Sequence, residues 1–454
     1  MKIASAKAAW LDETGVRLDA SYHLSDGRQA KIRIERSPYG WKSLGQVSER
    51  IFNGARFKRY YVENPERGIP FMGNADMLKA DFSALKRVSK VKTYNLDELW
   101  LKQGWTLISC SGTIGNTVYS TGDFIGKTAS QHIMRVVPND NEILGGYLYA
   151  FLTSKYGAGL LTQGTYGGVI QHIEPHHVLG LPVPLLPEDL MLEVHQKIEE
   201  AALLRVAANK AMRAGVALLE DVLPAFEQSS QYLAKASSFT NQRLRFDATV
   251  QHTAYDRFLK QASQNANLKT VGSLSARVFT PDIFKRIRVA DAKRGVVFLS
   301  GTDLLETRPK FDSFLSRKTP RLQDYILEEG WLALQDSGSL SSMGYVSIVP
   351  KFLEGAAATN NLIRIVPKAD NYNPYLFAYF KTKQGQAILK SLSYGTGQLH
   401  IDNGQLEQLQ VPIYEKIVED VTRHITDYTR QFNQAYDLET SAIKLVESAI
   451  AAWH

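Results

Sequence analysis

The stretch GWTLISCSGTIG at residues 104–115 returns in diverged form as GWLALQDSGSLSS at residues 330–342. The repeat extends in both directions at an offset of about 227 residues, with small drifts that insertions in loops would produce. Matching segments in the same order are 17–20 with 245–248, 41–45 with 268–272, 133–138 with 362–367, 147–152 with 375–380, 172–173 with 400–401 and 183–184 with 411–412. Because so many matches in one order do not arise by chance, the sequence predicts two copies of one module.

Each copy begins with a part of mixed secondary structure. Short runs rich in β-forming residues, such as 105–109 and 133–137, are separated by turns rich in Gly, Ser and Thr, such as 111–115. The segments 147–161 and 375–392 predict short helices. Proline residues then interrupt the chain at the end of each mixed part, and the pattern changes to that of one long helix.

The long helices are predicted from about 188 to 223 and from about 415 to 453, because apolar residues recur there at three- and four-residue spacing. In the first helix they are Met191, Val194, Ile198, Ala201, Ala208, Met212, Leu219 and Val222, with Arg205 and Gly215 as interruptions. In the second they are Val418, Val421, Ile425, Tyr428, Phe432 and Ala435, and, after one skip, Leu438, Ala442, Leu445 and Ala449. Such a narrow stripe is typical of a coiled-coil seam, although an amphipathic helix packed on its own module is the alternative.

The predicted fold class is therefore α+β, with two tandem mixed α/β domains, each followed by a long α-helix. We expect the two helices to pair as an antiparallel coiled coil with a length of roughly 50 Å. The predicted boundaries are 1–184 for an N-terminal leader and the first mixed domain, 185–223 for the central helix, 224–412 for a Ser-containing linker and the second mixed domain, and 413–454 for the C-terminal helix.

Composition narrows the function classes. The 454 residues are 44% hydrophobic and 22% charged, which is ordinary for a globular protein. The net charge of +7 favours a polyanionic partner, although many basic proteins bind no nucleic acid. The single cysteine, Cys110, excludes an intrachain disulfide and a cysteine-based zinc site. No segment approaches the roughly 18 apolar residues of a membrane span, so we expect a cytoplasmic protein with no membrane partner.

The order of the repeated blocks resembles the DNA-specificity subunits of type I restriction-modification systems across essentially the full chain. The segments that carry the resemblance are the leader at 17–20, GWTLISCSGTIG, and GTYGGVIQHIEPHHVLGLPVPLLP at 164–187, followed by the long helix. The second copy has weaker versions, including SYGTGQLHIDNGQLEQLQVPI at 393–413, and Ser341 replaces the second glycine of the SGTIG turn, so residue roles carry over less directly there.

The resemblance implies that each mixed module is a target recognition domain that reads one half of a two-part DNA site. It also implies that the paired helices fix the spacing and dock methylase subunits, of which we expect two, together with restriction subunits. No cofactor and no catalytic residue are expected in this chain. Because the two copies have diverged, we expect an asymmetric bipartite site on double-stranded DNA.

The candidate DNA-binding residues are basic side chains next to aromatic ones, and polar side chains in turns. In the first copy they are Arg50, Arg56, Lys58, Arg59, Ser111, Thr113, Asn116, Lys127, Gln131, Thr165, Tyr166, Gln171 and His172. In the second they are Arg277, Lys285, Arg286, Arg288, Ser337, Ser339, Thr396, Gln398 and His400. The alternative for each is a solvated charged face or a structural hydrogen bond.

Three other patterns partly match catalytic or metal sites. Residues 122–128 have one residue too few between their glycines for a phosphate-binding loop. Residues 373–375 resemble part of a methylase motif, but a helix entry explains them better. The trio His172, His176 and His177 is interrupted by Pro175 and lacks acidic or thiol partners that would favour zinc. A DNA methyltransferase, a duplicated scaffold and a type IIB-like or other anti-phage modification system remain as alternative functions.

Overall fold

The computed structural model describes residues 23–163, 172–226, 253–338, 343–396 and 398–453. The chain divides into two compact units, Met1–Val206 with Gln434–His454, and Ala207–Asn433. The matching leader segments at 17–20 and 245–248 lie outside the described residues. Each unit contains one copy of the predicted module and a section of both long helices.

The first unit is built on two four-stranded sheets. The helices, up to and including the first long one, are α1 (Asp26–Glu35), α2 (Gly145–Thr153), α3 (Lys155–Thr162), α4 (Pro175–Val178) and α5 (Glu188–Glu220). The strands are β1 (Trp41–Ser43), β2 (Ser48–Asn53), β3 (Tyr61–Val62), β4 (Gly68–Met72), β5 (Arg87–Ser89), β6 (Thr106–Ser109), β7 (Thr117–Tyr119), β8 (Thr128–Ala129), β9 (Ile133–Pro138) and β10 (Pro182–Pro184). The strand orders are β2-β9-β6-β7, antiparallel throughout, and β3-β5-β4-β8, in which β4 and β8 are parallel, while β1 pairs with β10.

The second unit has the same architecture. Its helices are α6 (Thr253–Ala262), α7 (Val271–Leu274), α8 (Asn373–Lys381), α9 (Lys383–Leu392), α10 (Asn403–Glu407) and α11 (Glu415–Ala451). Its strands are β11 (Asn267–Thr270), β12 (Ser275–Phe279), β13 (Arg288–Val289), β14 (Gly295–Leu299), β15 (Phe314–Ser316), β16 (Leu332–Gln335), β17 (Ser337–Gly338), β18 (Val346–Ile348), β19 (Ala357–Ala358), β20 (Leu362–Pro367), β21 (Leu399–His400) and β22 (Gln410–Ile413). The four-stranded sheets have the orders β12-β20-β16-β18 and β13-β15-β14-β19, and β11 pairs with β22. Since these orders match those of the first unit strand for strand, the predicted duplication and the mixed α/β class are confirmed.

Two short helices follow β9 and β20, as the sequence predicted for 147–161 and 375–392, and the first helix of each pair packs on the neighbouring four-stranded sheet. The segments are broken at Ser154 and Thr382, whose hydroxyl oxygens accept hydrogen bonds from the amides of Gly157 and Gly385 and so cap a second helix. A Cβ at either glycine would lie within about 2.2 Å of a carbonyl oxygen of the preceding helix, so only glycine permits this close approach.

Buried tyrosines attach these helices to the strand that precedes each long helix. Tyr147 Oη donates to the Pro184 carbonyl at 2.7 Å, and Tyr375 Oη donates to the Pro412 carbonyl at 2.9 Å. Both tyrosines have no exposed side-chain surface. The hydrogen bond therefore satisfies a hydroxyl that burial would otherwise penalise, and it fixes the start of each long helix to the core of its module.

The long helices α5 and α11 lie where the periodicity predicted them. In the first unit the buried stripe of α5 includes Val194, Ile198 and Ala201 and continues through Arg205. On α11 the predicted skip after Ala435 is wrong. The stripe continues through Glu439 to Ala442, Val446 and Ile450, and the predicted Leu438, Leu445 and Ala449 are only partly buried. The apolar pattern failed there because the chain buries a charged residue whose partner, Arg205, belongs to the other helix.

In the second unit the buried face of α11 is formed by apolar side chains. Val421, Ile425, Tyr428 and Phe432 of α11 are buried, and the Tyr428 ring stacks at 5.7 Å from the ring of Phe377 in α8. Among the described helices, none combines the length and the apolar character that crossing a membrane requires.

Candidate nucleic-acid interface

A hydrogen-bonded polar network lies at the turn that follows β6 in the first unit. Ser111 Oγ is 2.9 Å from His132 Nδ1 and 2.7 Å from His172 Nδ1. His172 Nε2 in turn is 2.7 Å from a carboxylate oxygen of Glu174. Asn74 Nδ2 donates to the Ser111 carbonyl at 2.7 Å. The predicted residues Ser111 and His172, which are far apart in sequence, are thus brought together.

The same network reaches the basic cluster through the loop between β8 and β9. Gln131 Nε2 is 3.0 Å from His132 Nε2, and Gln131 Oε1 accepts a hydrogen bond of 3.4 Å from the Arg59 guanidinium. Arg59 also lies over the Phe71 ring, with its Cζ 5.1 Å from the ring centroid. Four predicted residues, Arg59, Ser111, Gln131 and His172, therefore form one continuous cluster.

The electrostatics of this cluster favour a neutral His132. Burial lowers the pKa of His132, and electrostatic interactions with Arg59, His172 and Arg56 lower it further. A neutral imidazole has one donor and one acceptor nitrogen, so His132 can relay hydrogen bonds between Ser111 and Gln131. Exposed Arg56 and Arg59 leave the rim of the cluster positively charged.

The second unit has an equivalent cluster with different side chains. The Arg286 guanidinium donates to Thr359 Oγ1 at 3.2 Å and to Asn360 Oδ1 at 3.4 Å. Arg286 lies over the Phe298 ring at 5.5 Å, just as Arg59 lies over Phe71. Asn360 Nδ2 continues the chain to Asn361 Oδ1 at 3.0 Å.

Ser337 and His400 are paired in the second unit through the main chain. They are register partners in the two-stranded sheet of β17 and β21, as Ser111 and His172 are partners in an isolated bridge. The His400 main chain also exchanges two hydrogen bonds with Tyr394, at 2.8 and 2.9 Å. Ser337 is buried and His400 partly buried, so this pair is less accessible than its equivalent.

The other predicted basic residues differ in exposure and in the groups that they contact. Arg50 and Arg277 occupy equivalent positions over the rings of Phe52 and Phe279, at 3.9 and 3.8 Å. The surroundings of the remaining basic residues differ from one residue to the next. Lys58 lies over Tyr60, Arg288 lies over Phe298 and bonds Ser313, Lys285 is exposed, and half-buried Lys127 donates to the Asp123 carbonyl.

The predicted polar turn residues differ in accessibility. Thr113, Thr396 and Gln398 are exposed and can meet a ligand. Asn116 is buried, with 8% exposure, and its main chain pairs with Ser109. Four predicted residues, Thr165, Tyr166, Gln171 and Ser339, lie outside the described residues.

Several cluster members were not among the predicted residues: Asn74, His132, Glu174, Thr359, Asn360 and Asn361. A usable signal existed, because residues 130–132 and 359–361 stand directly before the matching strands at 133–138 and 362–367. Asn373 begins α8 and donates to the carbonyls of Gly330 and Ile365, so the helix-entry interpretation of residues 373–375 is confirmed. Glu174 gives His172 an acidic partner, so the expectation that the histidine trio lacks one is wrong, but no three His, Cys, Asp or Glu side chains are grouped to hold a metal ion within the described part of the chain.

The chemistry of both clusters suits recognition of DNA. Amide, imidazole and hydroxyl groups at their centres can exchange hydrogen bonds with base edges, which offer both donors and acceptors in the major groove. Exposed arginines at their rims suit phosphates, which position a protein without reading sequence. Each unit thus combines neutral polar side chains with an exposed arginine in one cluster.

Comparisons with known proteins identify the family. A family model described as the type I restriction modification DNA specificity domain matches residues 38–197 and again residues 302–443. The chain is similar to the S subunit of the type I restriction-modification system from M. genitalium, with 11% identity and a TM-score of 0.36 over 91% of this chain and 96% of that one. It is also similar to the HsdS subunit of Thermoanaerobacter tengcongensis, with 11% identity and a TM-score of 0.30 over 92% of this chain and all of that one. No curated protein sequence matches. The two matches of the family model together cover more than half of the chain. The chain therefore belongs to the type I restriction-modification DNA specificity family.

Proposed function

We propose that this protein is the non-catalytic specificity subunit of a type I modification and restriction complex and reads an asymmetric two-part DNA site. Each module reads one half-site, the first within 1–184 and the second within 224–412. The observation that carries this proposal is the pair of equivalent clusters with different polar groups. One presents Arg59 with Gln131 and His132, and the other presents Arg286 with Asn360 and Asn361.

The long helices, within 185–223 and 413–454, are proposed to pair antiparallel and to set the distance between the half-sites. Two contacts support this. Arg205 pairs with Glu439 in one unit, and a Cβ at Gly215 would lie 3.2 Å from Ile425 in the other. As residue numbers rise along α5, those of its partners on α11 fall, which is the behaviour of antiparallel helices. At ~1.5 Å per residue, each helix is about 50 Å long, which suits half-sites about one to one and a half turns apart.

The partners follow from the family. Duplex DNA, two methylase subunits and a restriction subunit are proposed to assemble with this chain in the cytoplasm, and the methylase is proposed to modify adenine. No catalytic residue is assigned to this chain.

The test is to express the full chain with the methylase subunit of the same system and to map modified adenines across a genome. We expect a two-part asymmetric motif with a fixed spacer. The exchange Asn360→Gln with Asn361→His gives the second module the side chains of the first, and it should alter one part of the motif only. The matched exchange Gln131→Asn with His132→Asn should alter the other part only.

Three results would contradict the proposal. They are methylation that does not require this chain, a short continuous motif, and a change of both parts by either exchange.

A further inference from the structure

Each module buries one arginine at the third position of an equivalent strand, Arg135 in β9 and Arg364 in β20. Neither side chain has any exposed surface. Burial lowers the pKa of each guanidinium to about 10, so both remain charged at neutral pH. Removing such a charge from water costs free energy unless hydrogen bonds inside the protein compensate for the lost hydration.

The hydrogen-bond partners of both arginines are main-chain carbonyls, most of them at the two ends of the loop that precedes the strand. Arg135 donates to the carbonyls of Ala129 at 2.7 Å and Ser130 at 2.9 Å, and also to those of Ile133 and Leu99. These bonds surround Gln131 and His132 on both sides. The loop is therefore folded around the guanidinium, and its two central side chains point to Arg59 and Ser111 instead.

Arg364 repeats this arrangement in the second module. It donates to the carbonyls of Ala358 at 3.1 Å, Thr359 at 3.0 Å and Leu362 at 2.6 Å. Those carbonyls flank Asn360 and Asn361, the equivalents of Gln131 and His132. The strands also keep their arginine while the loops change from Ser-Gln-His to Thr-Asn-Asn.

Fold stability alone is a poor reason for this arrangement. Within the described residues, neither Nε has a hydrogen-bond partner, and Asp336, the carboxylate that favours the charged form of Arg364, is replaced by Cys110 beside Arg135. A buried charge that is satisfied only in part is commonly less stable than an apolar side chain of similar volume. The geometry instead suits control of loop conformation, since five-donor guanidinium groups hold several carbonyls in a fixed fork.

We propose that Arg135 and Arg364 are positioning residues for DNA recognition, and that each fixes the backbone of a loop whose two central side chains read bases. Because the hydrogen bonds of each arginine within the described residues go to main-chain carbonyls, they hold the loop whatever side chains the loop carries. Base preference can then change between modules without loss of loop geometry. This inference rests on the proposed function and assigns residues that do not themselves touch DNA.

The test uses the full chain assembled with its methylase subunit, with Arg135→Met and Arg364→Met as matched variants. Methylation rates are measured on duplexes that carry the wild-type motif, one base-pair change in its first part, or one change in its second part. We expect Arg135→Met to reduce discrimination at one part of the motif about tenfold or more, since one correct base pair contributes about 1–3 kcal/mol to specificity. Discrimination at the other part should stay unchanged, and Arg364→Met should show the reverse pattern.

A merely structural role would lower the rate on all duplexes and leave both discrimination ratios intact, which would overturn the inference. If the methionine variants do not assemble, Arg135→Lys and Arg364→Lys replace them, because lysine keeps the charge but reaches fewer carbonyls. Reduced discrimination at one part then supports the inference, and unchanged discrimination overturns it. The wild-type complex on the same duplexes tests the proposed function separately. Absence of discrimination there would overturn that function together with this inference.

Discussion

Positions 110 and 336 are equivalent in the two modules, yet one is a buried cysteine and the other a half-buried aspartate. Their main chains make the same bonds. The amide of Cys110 donates to the His132 carbonyl at 2.8 Å, and that of Asp336 donates to the Asn361 carbonyl at 3.3 Å. Their carbonyls accept in turn from Ile173 and Ile401, at 3.0 and 2.7 Å. Since main-chain bonds are the same in both modules, the side chains around the loops at 130–132 and 359–361 are free to differ.

The contrast extends to the environment of each loop. In the first module Ser111 joins two histidines and, through His172, a carboxylate. In the second module the acidic group is Asp336, whose pKa is raised by burial and lowered in part by Ser337, His400 and Arg364. The two surfaces thus place acidic and imidazole groups differently on one backbone, which is what reading two different half-sites requires.

The largest effect is expected where the helix sections differ. In the first unit Arg205 and Glu439 form a buried ion pair that also includes Tyr149, whereas in the second unit Arg423 and Asp420 form an exposed pair. Arg205→Leu leaves a buried carboxylate without its cation and should lower the free energy of unfolding by about 3–5 kcal/mol. Arg423→Leu should change it by at most about 0.5 kcal/mol. Urea unfolding of the full chain, followed by hydrogen exchange in α5 and α11, measures both.

The double variant Arg205→Leu with Glu439→Leu is the control for that prediction. Because it removes both charges, it should recover most of the lost stability. Equal destabilisation by Arg205→Leu and Arg423→Leu would show that burial of the first pair has no energetic consequence.

An exchange of the side chains at positions 110 and 336 tests whether each module remains stable with the side chain of the other. Cys110 has no exposed surface, and burial raises the pKa of its thiol to about 12. Cys110→Asp should therefore destabilise the first unit by about 3 kcal/mol, because the new carboxylate is buried at a site that evolved around a thiol. Asp336→Cys should change the stability of the second unit by less than about 1 kcal/mol. Thermal unfolding measures the stability of both variants, and an equal loss of stability in the two would contradict the expected difference between the modules.

Main-chain organisation could be read from the sequence to a large extent. The repeat at 104–115 and 330–342 gave the duplicated sheets, and three- and four-residue spacing placed α5 and α11 within a few residues of their observed ends. The prediction for the buried stripe of α11 beyond Ala435 was wrong because Glu439 interrupts the apolar pattern. Its burial depends on Arg205, more than 200 residues away, and periodicity within one helix contains no information about such a partner.

The candidate site was predicted only in part for a similar reason. Arg59 and Arg286 stood out because basic and aromatic residues cluster near them in sequence, and their clusters are present. His132 and Asn361 did not stand out, because their role depends on the fold of a loop around a buried arginine. Asn116 was selected for its polarity, but the turn buries it.

The two recognition surfaces should be separable by matched histidine variants. His172→Phe removes the link between Ser111 and Glu174, and we expect about tenfold weaker discrimination at one part of the motif. His400→Phe should have a smaller effect, confined to the other part, because His400 is paired mainly through its backbone. Methylation rates on singly substituted duplexes test this. Equal effects of both variants on both parts would contradict separate readers.

The smallest expected effect concerns equivalent positions 79 and 306. Lys79 pairs with Asp76 at 2.9 Å in the first unit, whereas Glu306 of the second unit lies near the like charge of Asp303. Burial, followed by Asp303, raises the pKa of Glu306 to about 7 from an ordinary 4.5.

A carboxyl whose pKa is raised on folding favours the folded state fully below its unfolded pKa, and this contribution is lost as pH rises through the folded value. Glu306→Gln should therefore stabilise the second unit by about 1 kcal/mol at pH 8 relative to its effect at pH 5, after allowance for partial exposure. Lys79→Gln serves as the control and should show no such gain, since it removes an attractive pair. Thermal unfolding at both pH values decides the matter, because a gain for Glu306→Gln that does not grow with pH would mean that Glu306 is ionised as readily as an ordinary glutamate.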